Sequence, residues 1–248
     1  MSGGPAFIRC EGLQKWYGGV HALKNVSVEF GRGAEVVGLL GDNGAGKSTL
    51  IKILSGAHKP DGGRIVIDGT PIRIRSPRDS MRRGIETIYQ YTAMVPQMSI
   101  ARNMFIGREP TRGPRLGPIA LLDRKLMAEI AIQALRDVDL HLRSADTPVE
   151  ELSGGERQGV AIARAMHFRS RVLILDEPTN HLSLKETTKV LDHVAALRGQ
   201  GVSSIFISHN LHHIHPIADR MVIMARGEVV AELSRGEMSV DEVARLIV

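Results

Sequence analysis

The sequence has few of the features that staple small secreted chains or carry a chain across a membrane. A single cysteine, Cys10, stands among 248 residues, so no disulfide can close within the chain and a reducing compartment is expected. Aromatic side chains make up only 4%, which argues against stacking platforms for single-stranded nucleic acid. Apolar runs such as Val172 to Leu175 are only a few residues long, against the ~20 that a membrane-spanning helix needs. The segment Met1 to Ile8 has no basic start followed by an apolar stretch, so no secretory signal is expected.

What is present suits a globular protein. Hydrophobic residues make up 43% and charged residues 24%, and the length allows one large domain or two small ones with a sizeable core. The net charge is +5, with basic residues gathered as Arg64, Arg73, Arg75, Arg78, Arg82 and Arg83. Such a run reads first as a solvated face, although its sign also suits an anionic membrane surface or nucleic acid.

Phe7 to Glu11 and Val26 to Phe30 alternate apolar and polar residues and are expected as strands. Glu35 to Leu40 predicts a buried strand ending in a Gly-rich loop. The helix that follows carries Leu50, Ile53 and Leu54 on one face and stops at Gly56. Ile65 to Asp68 predicts another short strand. From about Met98 to Leu152 no strand is expected: Gly107 to Pro118 reads as a loop. Asp123 then caps a helix whose apolar face is Leu126, Met127, Ile130, Ala134 and Val138. Val172 to Leu175 and Ser204 to Ile207 read as buried parallel strands, with a helical segment over Val190 to Leu197 between them. The fold class expected is an α/β core interrupted by a helical subdomain.

Gly41-Asp42-Asn43-Gly44-Ala45-Gly46-Lys47-Ser48 fits G-x-x-x-x-G-K-[ST], between an expected strand and an expected helix. Its glycines let successive backbone N–H groups curl around phosphate oxygens, and the helix start adds its positive dipole end. Candidate nucleotide-binding residues are Gly41, Asn43, Gly44, Ala45, Gly46, Lys47, Ser48 and Thr49. Lys47 is expected to reach the β- and γ-phosphates of a nucleotide, and the Ser48 hydroxyl to ligate Mg²⁺. Asp176, at the end of the strand Val172 to Leu175, is expected beside this loop as a second Mg²⁺ ligand, direct or through water. Glu177 would then accept a proton from the attacking water, help typically worth about 10²- to 10⁴-fold. Taken alone, the same two acids equally suit a turn or helix cap.

Leu152-Ser153-Gly154-Gly155-Glu156-Arg157-Gln158 contains a capping box, Ser153 followed three residues later by Glu156. A cap does not need two consecutive glycines, which expose N–H groups at a helix N-terminus and suit an anion. Here the sequence resembles the ABC-transporter ATPases, whose signature L-S-G-G-Q also lies between the phosphate loop and the carboxylate strand. The resemblance covers essentially the whole chain. It implies a RecA-like P-loop NTPase core with an N-terminal antiparallel β subdomain and an inserted α-helical subdomain. The chain would then be one ABC ATPase domain over 1–248, with the core in 1–90 and 160–248 and the helical subdomain in 91–159.

The resemblance also implies site roles. Two ATPase domains pair head to tail, and Ser153, Gly154 and Gly155 of one bind the γ-phosphate held by the other. Gln90 would sense Mg²⁺ and face a transmembrane partner. Tyr17 would stack on adenine, unless it is a core aromatic. His209 would be the switch histidine that contacts the γ-phosphate, joining Lys47 and Glu177 in the catalytic set. A metal site over His209, His212, His213 and His215 is the rival reading of that cluster; otherwise the last three are polar positions on the following helix. Two departures stand out: Glu156 replaces the usual Gln, and Ser183 replaces the usual Asp in Asn180-His181-Leu182-Ser183.

Gly41-Asp42-Asn43-Gly44, Ser55-Gly56-Ala57-His58, Glu156-Arg157-Gln158 and Ile207-Ser208-His209-Asn210-Leu211 look like the simple-sugar importers of the family. One phosphate loop and one signature match their single-domain members, which act as dimers. The implied partners are a second copy, transmembrane permease subunits and, indirectly, a substrate-binding protein, with no nucleic acid. The implied location is peripheral, on the cytoplasmic face of the inner membrane. The alternative is a soluble ABC-type ATPase acting on ribosomes, which shares Asn-His-Leu after the carboxylates. A metabolic kinase would have no use for a signature helix.

Overall fold

The computed structural model describes residues 4–89, 94–116, 119–237 and 239–247. They fall into two compact units: Met1–Gln90 with Ser170–Asn180 and Val194–Val248, and Tyr91–Arg169 with His181–His193. The chain runs through β1 (Ala6–Tyr17), β2 (Val20–Arg32), β3 (Val36–Leu40), α1 (Lys47–Leu54), β4 (Gly62–Ile67), β5 (Thr70–Ile72), α2 (Pro77–Arg82) and β6 (Ile85–Ile88). Next come α3 (Ile100–Phe105), β7 (Thr111–Leu116), β8 (Ile119–Leu122), α4 (Arg124–Arg136) and α5 (Gly154–His167). The last stretch holds β9 (Val172–Asp176), α6 (Leu184–Leu197), β10 (Ser203–Ile207), α7 (Leu211–Ile214), β11 (Arg220–Ala225), β12 (Glu228–Ser234) and α8 (Val240–Ile247).

The first unit contains two sheets. One is antiparallel, in the order β2-β1-β4-β5. The other has six strands in the order β12-β11-β3-β10-β9-β6, parallel except for the edge strand β12. Every residue of β3 and β10 is buried, which is why both read as nearly continuous apolar or small-residue runs. β1 and β2 extend well beyond the alternating segments expected in sequence. Their ladder continues from Ile8 opposite Phe30 to Trp16 opposite His21, because backbone pairing does not need apolar alternation. Ile8, Leu13, Phe30, Leu39, Leu50, Ile53, Ile174 and Ile207 meet in one core, each burial contributing about 1.5–3 kcal/mol.

In the second unit α4 packs against α3 and α5, and two expectations need correction. The segment read as a loop, and as free of strands, contains the hairpin β7–β8, with Thr111 opposite Leu122 and Leu116 opposite Ile119. Its glycine and proline content suggested a loop, but in a two-stranded ribbon both strands are edges, and an edge tolerates a proline without its N–H. The buried face of α4 is Met127, Ala131, Ala134 and Leu135, followed by Val138, while Leu126 is exposed and Ile130 half-buried. Small Ala131 and Ala134 let neighbouring helices approach, so the face is set around them and not around the larger Leu126. No helix among the described residues is long and apolar enough to cross a membrane.

Candidate nucleotide site

β3 delivers the chain directly into the loop 41–48. At Gly41, φ is +146° and a Cβ would stand 2.2 Å from the Met224 carbonyl oxygen, so only glycine fits under β11. Gly46 precedes α1 in a left-handed conformation with no side-chain cap. The first N–H groups of α1 are thus left to be met from outside the helix, the arrangement that holds an anion. Gly44, at φ +83°, has nothing within 4 Å of where a Cβ would be, so the loop is open on that side. Asn43 and Ser48 are exposed, Lys47 and Thr49 partly so, and Ala45 is buried.

Lys47 folds back over its own loop, its Nζ donating to the carbonyls of Gly41 at 2.7 Å and Asp42 at 3.0 Å. Burial pulls its pKa below the usual lysine value, opposed by the charges of Glu177, Asp42 and Asp176. Asp176 ends β9. Its strand is not the immediate neighbour of β3, since β10 lies between them, yet it is close enough for Lys47 to act on it electrostatically. Burial and then the Glu177 charge raise the Asp176 carboxyl above its usual range, while Lys47 and Lys52 oppose this.

Glu177 follows with φ +52°, a left-handed backbone uncommon for a residue with a side chain. Its N–H donates to the Ile207 carbonyl at 3.0 Å. That tie and the register of Ile207 opposite Asp176 bring the end of β9 to the loop after β10. There His209 Nδ1 lies 3.1 Å from Glu177 Oε2 and 3.2 Å from Oε1. The His209 side chain is 71% exposed and that of Glu177 14%, so the imidazole sits over the carboxylate.

Tyr17 is 41% exposed and edge-on to His58, with ring centroids 5.7 Å apart. Lys15 Nζ lies 5.6 Å from its ring centroid, and the ring is not part of the core. Gln90 lies outside the described residues. Among the described residues no group of three or more His, Cys, Asp or Glu is arranged to hold a metal ion. His213 is more than a polar helix position: its ring contacts Thr179 and Asn210.

The signature segment lies in the second unit. Both halves of the expected capping box form: the Ser153 hydroxyl accepts from the Glu156 N–H at 3.2 Å, and Glu156 Oε2 accepts from the Ser153 N–H at 2.8 Å. A Cβ on Gly154 would stand 2.4 Å from Leu182 Cδ2, and one on Gly155 3.2 Å from Glu186 Cβ. The glycines therefore serve packing as well as N–H exposure. The Gly155 N–H donates to Glu186 Oε1 at 3.2 Å, and Glu186 Oε2 accepts from the Ser183 hydroxyl at 2.8 Å and its N–H at 3.0 Å. Ser183, where the usual aspartate is missing, thus binds Glu186, a residue the sequence reading did not single out. The spacing Ser183-x-x-Glu186 repeats that of Ser153-x-x-Glu156 and was the available signal.

The sequence pattern of the ABC transporter family matches residues 23–180. A xylose/arabinose import ATP-binding protein of Sulfolobus acidocaldarius is 41% identical over 235 residues, covering 95% of this chain and 91% of its own length. A ribose import ATP-binding protein of Streptomyces avermitilis is 42% identical over 248 residues, covering 100% of this chain but 46% of its own length. The chain therefore spans about half of that second relative. Among solved structures, the dimeric post-hydrolysis state of an ATP-binding cassette bound to ADP and Pi matches with a TM-score of 0.74 and 25% identity. That match covers 93% of this chain and 100% of the other.

Proposed function

Because the chain belongs to the ABC transporter family, we propose that it is the ATP-binding and ATP-hydrolysing subunit of an importer. It drives uptake of a small solute, a simple sugar, through partner membrane subunits. The relatives' names, xylose/arabinose import and ribose import, support this over a ribosome-acting soluble ATPase. We read residues 1–248 as one ATPase domain, peripheral to the cytoplasmic face of the inner membrane.

Two copies sandwich two ATP molecules. Each nucleotide lies between the loop 41–48 of one chain and Ser153, Gly154 and Gly155 of the other, with Tyr17 against adenine. The dimeric cassette with ADP and Pi supports that pairing. Permease subunits dock near Gln90 and the segment 91–100, and a substrate-binding protein delivers the solute. Closure and reopening of the pair shift the membrane partner between two states.

In the reaction the water oxygen attacks the γ-phosphorus. Its proton passes to the Glu177 carboxylate, and the bond to the β-phosphate oxygen breaks with its electron pair leaving on ADP. Lys47 exchanges its contacts with the Gly41 and Asp42 carbonyls for phosphate oxygens. His209 holds Glu177 and contacts the γ-phosphate. Ser48 and Asp176 offer hard hydroxyl and carboxylate oxygens, the donor set Mg²⁺ prefers, and the burial and Glu177 charge that raise Asp176 are of the sign a divalent cation offsets. When bound, Mg²⁺ neutralises charge on the β- and γ-phosphate oxygens.

The observation that carries the reading is the Glu177–His209 pair at 3.1 Å beside a lysine-bearing phosphate loop. Replacing Glu177 with Gln is expected to leave ATP binding intact while stopping turnover. Full residual ATPase activity in that variant would sink the general-base assignment.

A further inference from the structure

We infer that His213 is a positioning residue for this ATPase site: its neutral ring donates from Nδ1 and accepts at Nε2, tying the turn that carries Glu177 to the loop that carries His209. The inference rests on the hydrolytic reading of those two residues.

The hydrogen bonds fix the proton. Asn210 Oδ1 accepts from the His212 N–H at 3.0 Å, which turns the Asn210 amide so that Nδ2 faces His213 Nε2 at 3.0 Å. An amide NH₂ only donates, so Nε2 accepts and carries no hydrogen. The ring proton is then on Nδ1 and donates to Thr179 Oγ1 at 3.0 Å. Thr179 is buried and lies two residues beyond Glu177, while Asn210 directly follows His209. With the His209–Glu177 contact, the links close a ring: Glu177, Thr179, His213, Asn210, His209 and back to Glu177.

Such a ring has a task. Glu177 is held at φ +52°, a region that a non-glycine residue keeps only where its surroundings impose the conformation. A protonated His213 would place an Nε2–H against the Asn210 amide hydrogens and open the ring. The ionisable groups around it are Glu177 from the turn after β9, and His209 and His212 from its own loop and helix. Burial, then positive charge on His209 and His212, pushes the His213 pKa below the ordinary imidazole value, with Glu177 opposing. The neutral form is therefore the one present near neutral pH.

The test uses the full chain as wild type, His213→Phe, His213→Gln and Glu177→Gln. The readouts are ATP turnover, nucleotide-analogue fluorescence for affinity, and long-range nitrogen-15 NMR of the imidazoles. At neutral pH the His213 ring is expected as the Nδ1–H tautomer. Phe at 213 is expected to keep nucleotide affinity within about twofold while losing about tenfold or more in kcat, since a 1 Å misplacement can cost ~10²-fold. Gln, which retains a donor and an acceptor, is expected to recover most of that loss.

An Nε2–H or doubly protonated ring overturns the inference. So does a folded Phe variant with wild-type kcat, or a Gln variant as impaired as the Phe variant. If the Phe variant does not fold, the tautomer and the Gln variant decide, and a Gln kcat below about a third of wild type overturns the inference. Glu177→Gln separates the two levels. Wild-type turnover in that variant, or a wild-type chain without turnover, means the hydrolytic reading has failed. An inactive Glu177→Gln beside a normal Phe variant means only this inference has failed.

Discussion

Two helix starts in this molecule look alike in sequence and differ in structure. Gly46 immediately precedes α1 and Gly154 opens α5, and both starts present the positive end of a helix dipole. At α1 the cap residue is Gly46, no side chain caps the helix, and no acidic residue lies in the first turn. At α5 the Ser153 and Glu156 side chains complete a capping box, and the Glu186 carboxylate takes the Gly155 N–H. One helix start is left for an external anion. The other is already neutralised by two carboxylates of its own unit, so a phosphate arriving there competes with Glu186 for Gly155. On the proposed reading, nucleotide affinity of a single chain resides in the phosphate loop, and the signature contributes once a second copy closes on it.

Alanine at one glycine of each start sharpens the contrast, and Gly41→Ala should have the larger effect. Its Cβ would meet the Met224 carbonyl oxygen at 2.2 Å, a backbone atom that cannot turn aside, in a backbone region unfavourable to side chains. Left-handed strain of about 1–3 kcal/mol adds to a clash of similar size. We expect a loss of about 3 kcal/mol or more in urea unfolding, together with loss of nucleotide-analogue binding. Gly154→Ala meets only the flexible end of Leu182, at 2.4 Å. An overpacking penalty of about 1–3 kcal/mol is partly offset by the ~1 kcal/mol helix advantage of Ala over Gly. A loss of about 1 kcal/mol with unchanged nucleotide affinity is expected. Equal losses from the two substitutions, or loss of affinity from the second, would break the comparison.

The same contrast explains what was legible in the sequence. The phosphate loop, the carboxylate pair after β9 and the capping box at Ser153 are local patterns whose physics is complete within a few residues. The parallel strands were legible because burial on both faces leaves an apolar run. The hairpin β7–β8 was not, because its composition signals a loop and its pairing depends on a partner strand. The α4 face was legible at Met127, Ala134 and Val138 but rotated at its edges, where Leu126 is exposed and Ala131 and Leu135 are buried, because helical spacing alone does not say which edge of an apolar stripe meets a neighbour. Contacts such as His209 with Glu177, 32 residues apart, depend on β10 lying in register beside β9. The clip from Glu186 to Gly155 spans 31 residues, and nothing near Gly155 announces it.

That clip gives the smallest effect and the most specific signature. Hydrogen bonds from the Ser183 hydroxyl, the Ser183 N–H and the Gly155 N–H hold the Glu186 carboxyl down to about 2, from an ordinary 4.5. The folded chain therefore gives up this proton more readily than the unfolded chain. The stabilisation is fully present above pH 4.5 and is lost as pH falls toward 2. Glu186→Gln keeps an acceptor for Ser183 or Gly155 but removes the charge, so near neutral pH its unfolding midpoint should lie only slightly below wild type. The gap between the two proteins should narrow below pH 4.5 and close near pH 2, while titrations common to both cancel. In the same variant the second helix start comes to resemble the first, with one of its two carboxylates gone. Its nucleotide-driven dimerisation should then set in at lower ATP concentration, measurable by light scattering in the Glu177→Gln background. A gap that stays constant with pH, or dimerisation that needs more ATP, would mean that Glu186 does not compete for the signature N–H groups.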